Sequence, residues 1–269
     1  SPQIRTVSPE RIRDEISRIL TEPHPRRGLE LLNELNLLEQ ILPEAKALQD
    51  VRQPPQFHPE GDVWTHTLMM MEGLDKPTIT QAWGVLLHDI GKPKTRRFES
   101  DGGVSFHHHE VVGARMVRKR LTALRYPNDV IDEVSKLTEL HLRFHGYGTG
   151  EWTDSAVRRY VRDAGDQLTR LHKLTRADST TRNRKRAAAL QAAYDGLEQR
   201  IAILADQEEL AAIRPDLDGN KIMEILGIPP GREVGAAYDY LLELRLDRGP
   251  LGDEEAEREL RAWWAARQP

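Results

Sequence analysis

Val85-Leu86-Leu87-His88-Asp89-Ile90-Gly91-Lys92-Pro93 sets an imidazole and a carboxylate side by side at the end of an apolar run. Valine and leucine ahead of the pair mark a buried helix, and Gly91 with Pro93 two residues later marks its C-terminus. A core helix that ends on His-Asp buries polar groups, which is costly unless something meets them. Imidazole and carboxylate together suit Mn, Fe, Ni or Zn. The stretch therefore predicts an all-α core with a divalent-metal site at a helix end.

Helical phase brings in further candidates. Val130, Val134 and Leu137 define the buried face of a helix starting near Asn128, and His141 and His145 continue it at i+4 steps. Leu168, Leu171 and Leu174 share a face with Asp178 on a later helix. His66 sits in Trp64-Thr65-His66-Thr67-Leu68 at the start of an amphipathic helix, and His109 ends the run His107-His108-His109. The expected ligands are His66, His88, Asp89, His109, His141 and Asp178. A lone inward histidine is more often a hydrogen-bonded core residue than a ligand, and His24, His58 and His172 are assigned to that class. Asp178 alone could pair with Arg176 or Arg182. Four histidines and two aspartates, each at a helix end or on a core face, weigh for a metal.

Composition sets the outer limits. The chain has 269 residues, 38% hydrophobic and 30% charged, with no cysteine. Thiol nucleophiles, zinc ribbons and disulfides are excluded, which fits a reducing, cytoplasmic setting. A net charge of −4 announces no bulk nucleic-acid field, so any such surface is a local patch. No run of about 18 apolar residues occurs, so no membrane partner is expected. Ser8-Pro9-Glu10 opens the first helix with a cap and an N1 proline, and Gln53-Pro54-Pro55 closes a helical preamble. Turn residues at Arg214-Pro215-Asp216-Leu217-Asp218-Gly219-Asn220 open a final helical segment. The expected division is 1–52, 53–204 and 205–269, a helical core flanked by smaller helical units.

The order His66…His88-Asp89…His109…His141…Asp178 resembles the HD superfamily of metal-dependent phosphohydrolases, whose members are all-helical. His66, His88, Asp89 and Asp178 match the four defining ligands, and His109 and His141 match the extra pair of dinuclear members. The resemblance implies that Asp89 bridges two metals and helps hold the attacking water. It also implies one or two divalent ions, Mn, Ni, Fe, Co or Mg.

A second likeness covers almost the whole chain. Ile12 to Pro43, with Arg26-Arg27-Gly28-Leu29-Glu30-Leu31-Leu32, is similar to the neck helices of bacterial CCA-adding tRNA nucleotidyltransferases and related poly(A) polymerases, most of all their actinobacterial branch. Phe106-His107-His108-His109-Glu110-Val111-Val112-Gly113-Ala114 resembles the HD insert of that family, and residues 219–235 resemble its C-terminal helical region. The catalytic head of that family needs a Gly-rich turn on a sheet followed by Asp-x-Asp. Asp216-Leu217-Asp218 has neither strand nor glycine loop before it and reads as a helix cap. Nucleotide polymerisation by this chain alone is not expected.

Lys92, directly after the His-Asp turn, is a candidate phosphate contact and catalytic group, with a helix C-terminal cation as the plain alternative. Arg143 is a weaker phosphate candidate. Arg182, Arg184, Lys185 and Arg186 cluster near Asp178 and are candidate RNA-backbone contacts; such runs are otherwise solvated helix faces. Arg115, Arg118, Lys119 and Arg120 form a second cluster. The leading expectation is a metal-dependent phosphatase or 2′,3′-cyclic phosphodiesterase acting on a phosphate ester, a tRNA 3′ end or a nucleotide. The alternative is the non-catalytic tRNA-binding body of a CCA-adding enzyme. A hydrolase of dNTPs or alarmones ranks third, since it leaves the neck-like and tail-like segments without a role.

Overall fold

The computed structural model describes residues 4, 6–54, 60–100, 102–146, 152–179, 184–210 and 213–267; the side chains of 145, 146, 184 and 186 are outside that description. The chain is all-α as expected. In order the helices are α1 Pro9–Thr21, α2 Pro25–Glu34, α3 Leu38–Ile41, α4 Pro43–Lys46, α5 Val63–Glu72, α6 Ile79–Leu87, α7 Lys92–Thr95 and α8 His109–Ala123. They continue as α9 Asn128–Leu140, α10 Arg143–Gly146, α11 Asp154–Ala164, α12 Leu168–Asp178, α13 Arg184–Gln207, α14 Gly219–Leu226, α15 Arg232–Arg248 and α16 Asp253–Ala265. Among the described residues the one sheet is a hairpin of β1 Arg97–Phe98 and β2 Val104–Ser105.

Two units separate by their internal contacts: Ser1–Gly146 with Asp166–Tyr194, and Tyr147–Gly165 with Asp195–Pro269. The neck-like residues 1–52 thus share a unit with most of the HD-like segment, and 147–165 joins the C-terminal residues.

In the first unit α6 is the hub, packing on α1, α5, α9 and α12. Thr78 caps its start by accepting from the Gln81 N–H at 3.3 Å, and every residue from Ala82 to Leu87 is buried. Burying each of its large aliphatic side chains contributes roughly 1.5–3 kcal/mol. Trp83 meets Tyr126 edge to face with centroids 5.6 Å apart, and the Tyr126 hydroxyl lies 2.7 Å from Ser17 Oγ. That chain of contacts ties α1 to the core. Arg120, in the second cationic cluster, makes a two-pronged contact with Glu44 at 2.8 and 2.9 Å, tying α4 to α8. The Ser8 cap and N1 proline of α1 form as read, Ser8 Oγ accepting from the Arg11 N–H at 3.4 Å.

The second unit buries Leu217, Ile222, Ala237, Leu241, Ala256 and Leu260 between α14, α15 and α16. Asp218 caps α14, accepting from the Lys221 N–H at 2.9 Å, as the turn reading anticipates. Asp216 accepts from the Leu251 and Gly252 N–H groups, both at 3.3 Å, and so clamps the α15–α16 turn. Arg158 and Arg245 both meet buried Glu208, an arginine–glutamate–arginine triad inside the unit.

Candidate metal centre

The six expected ligands come from five separate helices and meet in the first unit. His66 is in the second turn of α5, which Asp62 caps through the Thr65 N–H at 2.8 Å. His88 is the C-cap of α6, and Asp89 follows in the turn. His109 is the first residue of α8, because His108 takes a left-handed φ of 61° that turns its own side chain out and the next one in. His141 is the C-cap of α9, and Asp178 is the last residue of α12. His66, His88, Asp89, His109 and His141 are buried, and the Asp178 side chain is nearly so. Three helices, α6, α9 and α12, end here, and the partial negative charge of a helix C-terminus favours a cation.

Donor atoms gather as two trios, His66–His88–Asp178 and Asp89–His109–His141, each with its ligand atoms within 4.8 Å of one another. His66 Nε2 lies 2.9 Å from Asp178 Oδ1, and His88 Nε2 lies 3.6 Å from the same oxygen. His88 Nε2 is also 3.3 Å from Asp89 Oδ2, which joins the trios. Asp89 Oδ1 is 3.1 Å from His109 Nε2 and 3.7 Å from His141 Nε2.

The ring tautomers follow from a local rule. His88, His109 and His141 each point Nδ1 at the carbonyl three residues back, Val85 O at 2.8 Å, Phe106 O at 2.8 Å and Thr138 O at 2.6 Å. A carbonyl only accepts, so Nδ1 carries hydrogen and a neutral ring presents a bare lone pair at Nε2. His109 Nε2 and His141 Nε2 are 3.2 Å apart and face Asp89 Oδ1, which has no hydrogen-bond partner. Three acceptors converge with no donor among them. The residues therefore fit a divalent cation.

Charge among these residues is arranged accordingly. Burial works against the His88 imidazolium, but Asp89 and Asp178 outweigh it and push its pKa up to about 10. Burial likewise opposes protonation of His66, yet Asp178 and Glu60 raise it. Burial and the neighbouring His88 and His109 push His141 down to about 3. Against their own burial, Asp89 is held well below the carboxylate range by Lys92 and His88, and Asp178 by His66 and His88. A metal taken at Nε2 must displace the protons on His88 and His66, whereas His141 has none to lose. Affinity is therefore expected to rise with pH between about 6 and 9, approaching tenfold per pH unit for each proton released. Calorimetry of Mn²⁺ binding in buffers of differing ionisation enthalpy should count one or two protons. A count of zero would contradict this charge arrangement.

Two members of the site carry no signal in the sequence. Glu60 meets His66 Nδ1 and so orients that ring, and Gln53 Oε1 accepts from Lys92 Nζ at 2.6 Å. Both stand in the proline-rich break, where no periodicity marks a buried polar group. Lys92 itself is buried, with Nζ 2.6 Å from Asp89 Oδ2. Arg143 and Lys185 are exposed, on α10 and α13. Arg182 and the side chains of Arg184, Arg186 and His145 lie outside the described residues, as does His58. His24 differs from its core assignment: it is exposed with φ of 70°, because it forms the turn between α1 and α2 rather than a core face. His172 is half-buried.

Comparison with known proteins finds two family matches and a set of similar relatives. Residues 1–49 match the family described as the probable RNA and SrmB-binding site of polymerase A, and residues 62–183 match the HD domain. The CC-adding tRNA nucleotidyltransferase of Thermus thermophilus is 32% identical over 261 residues, 95% of this chain and 56% of the relative. The A-adding tRNA nucleotidyltransferase of Deinococcus radiodurans is 31% identical over 268 residues, 97% of this chain and 59% of the relative. A multifunctional CCA protein of Halorhodospira halophila is 37% identical over 145 residues, 53% of this chain and 34% of the relative. The chain thus spans less than two thirds of the length of these relatives. A match to the polymerase A RNA-binding family thus precedes a match to the HD domain, and over nearly its whole length the chain is similar to the tRNA nucleotidyltransferases.

Proposed function

We propose that the chain is a divalent-metal-dependent phosphohydrolase, a phosphatase or 2′,3′-cyclic phosphodiesterase, acting at RNA 3′ ends, with tRNA as the RNA. The observation that carries the reading is the convergence of His109 Nε2, His141 Nε2 and the unpartnered Asp89 Oδ1. Such a set is costly to bury and is relieved by a cation. His66, His88 and Asp178 would hold one divalent ion and Asp89, His109 and His141 a second. Bound divalent ions lower the pKa of water towards ~7 and offset charge growing on a phosphoryl group.

The protein's own residues prepare that chemistry. Lys92 and His88 hold Asp89 Oδ2, leaving Oδ1 aimed at His109 and His141. Backbone carbonyls fix three imidazoles in the ligating tautomer, and Glu60 fixes the orientation of His66. Lys92 is too engaged with Asp89 and Gln53 to be read mainly as a phosphate contact. Its role in this proposal is to orient Asp89. Support for an RNA substrate comes from the match of residues 1–49 and from the tRNA-directed names of the relatives.

The same two findings favour a second reading, a tRNA-binding body that does no chemistry of its own. Turnover of bis-p-nitrophenyl phosphate and 2′,3′-cyclic AMP across Mn²⁺, Ni²⁺, Co²⁺ and Mg²⁺ separates the two. The phosphohydrolase reading expects turnover that chelation removes and one of these metals restores. Silence with every metal, alongside tRNA binding that chelation does not alter, would leave the second reading standing.

A further inference from the structure

The hairpin between the His88-Asp89 turn and His109 carries side chains that the metal centre does not use. Its strands pair Arg97 with Ser105 and Phe98 with Val104. Arg96 and Phe106 flank these pairs at its base. Phe106 lines the centre: its carbonyl accepts from His109 Nδ1 at 2.8 Å, and its ring lies 5.6 Å from Lys92 Nζ. Phe98 is two residues out along β1, which places it about 7 Å farther from the base.

The Phe98 side chain is 77% exposed, more than any other large apolar residue among those described. The Arg96 guanidinium lies 5.4 Å over its ring, on the same face of the strand. Lys94, Arg96 and Arg97 are all exposed, and none of them pairs with an acid among the described residues. Three other cations of this unit do have acidic partners: Arg26 meets Glu30 and Glu72, Arg118 meets Asp132, and Arg120 meets Glu44. An isolated exposed phenylalanine would need no explanation. One stacked with an arginine, among three uncompensated cations beside a candidate phosphate-ester site, has the composition that binds single-stranded nucleic acid.

We propose that residues 94–98 form a clamp for the single-stranded 3′ end of an RNA. Phe98 and Arg96 stack a base, and Lys94 meets a backbone phosphate next to it, while Arg97 adds positive charge from the other face of the strand. The proposal rests on reading the centre as a phosphohydrolase only for the direction in which the strand runs, towards the metals. It gives the RNA 3′ end of that reading a binding segment that the metal ligands do not supply. Stacking on an aromatic ring tolerates every base, so little sequence preference is expected from the clamp.

Fluorescence anisotropy with a short single-stranded RNA tests it on the full chain, with and without Mn²⁺, independently of turnover. Phe98→Ala is expected to weaken binding about tenfold and Phe98→Trp to restore it. Making the terminal nucleotides abasic should weaken binding to the wild type but cost nothing further in Phe98→Ala. Unchanged affinity in Phe98→Ala, or an abasic penalty that persists there, overturns the clamp. Loss of anionic-vesicle binding in that variant with RNA binding intact would mark the segment as a membrane contact and also overturn it. A protein that hydrolyses no phosphate ester yet shows the Phe98 effect refutes the hydrolase reading and leaves the RNA clamp in place.

Discussion

Asp89→Ala is expected to remove metal-dependent turnover by about a thousandfold or more, the scale set by losing a preorganised charge at the reacting centre. Asp89 reaches both donor trios and Lys92. Its Oδ1 faces His109 and His141 at 3.1 and 3.7 Å, and its Oδ2 faces Lys92 and His88 at 2.6 and 3.3 Å. Truncation would deprive the ion expected at His109 and His141 of its carboxylate, and it leaves Gln53 as the hydrogen-bond partner of the buried Lys92 ammonium. Breaking a buried ion pair from one side costs roughly 3–5 kcal/mol, so the metal-free variant should also unfold at lower urea. Asp89 is held below the usual carboxylate range, so its contribution is present above the unfolded pKa and is lost as pH falls through the folded one. The stability gap between wild type and Asp89→Ala should therefore be full at neutral pH and close in strong acid. Metal content by mass spectrometry, phosphodiester turnover and urea melts give three separate readouts. A variant that keeps its metal and its turnover would sink the assignment of Asp89.

Gly91→Ala is expected to be the most damaging single-methyl change near the site. Its φ of −74° suits any residue, so the requirement is one of space rather than backbone freedom. A Cβ at Gly91 would lie 2.0 Å from the His109 carbonyl oxygen and 2.9 Å from the Gly113 nitrogen, both backbone atoms that cannot rotate away. Gly113 continues the contact, with Thr138 Cγ2 3.1 Å from where its own Cβ would be. These two glycines let the start of α8 press on the turn after Asp89, and that approach delivers His109. Relief of the clash must move α8, at about 3 kcal/mol for an overpacked core. Thermal melts should show the destabilisation, and metal titration should show weaker binding as His109 withdraws. Wild-type stability with normal metal affinity would mean that α8 is not held by this contact.

Much of the site was readable because chemistry and periodicity coincide there. His88 and Asp89 end an apolar helix, and His141 and Asp178 fall in phase with leucine and valine faces, so each is a polar group where helical phase demands an apolar one. Spacing gives no reason to prefer His109 among three adjacent histidines, and the physical ground for it is the left-handed turn at His108. Glu60 and Gln53 were not legible, since they act from an irregular segment where no phase assigns a face. For Lys92 the spacing leaves two readings, a phosphate contact or a helix C-terminal cation. The fold adds a contact with Asp89 that is set by the 91–95 turn rather than by spacing. The short hairpin also escaped notice, because two residues per strand are too few for an alternating pattern.

From residue types and their order alone came the all-α class, the caps at Ser8 and Asp218, and the histidines and aspartates that had to be buried together. These depend on local propensity, capping and hydrophobic phase, which act within a few turns of chain. Tertiary packing alone decided how the donors divide into two trios, that three imidazoles are held by the carbonyl three residues back, and that Lys92 serves Asp89. It also decided that an exposed Phe98–Arg96 pair stands on the hairpin beside them. Each of these depends on distances between helices far apart in sequence, and such distances are set by how closely backbones approach, as at Gly91 and Gly113.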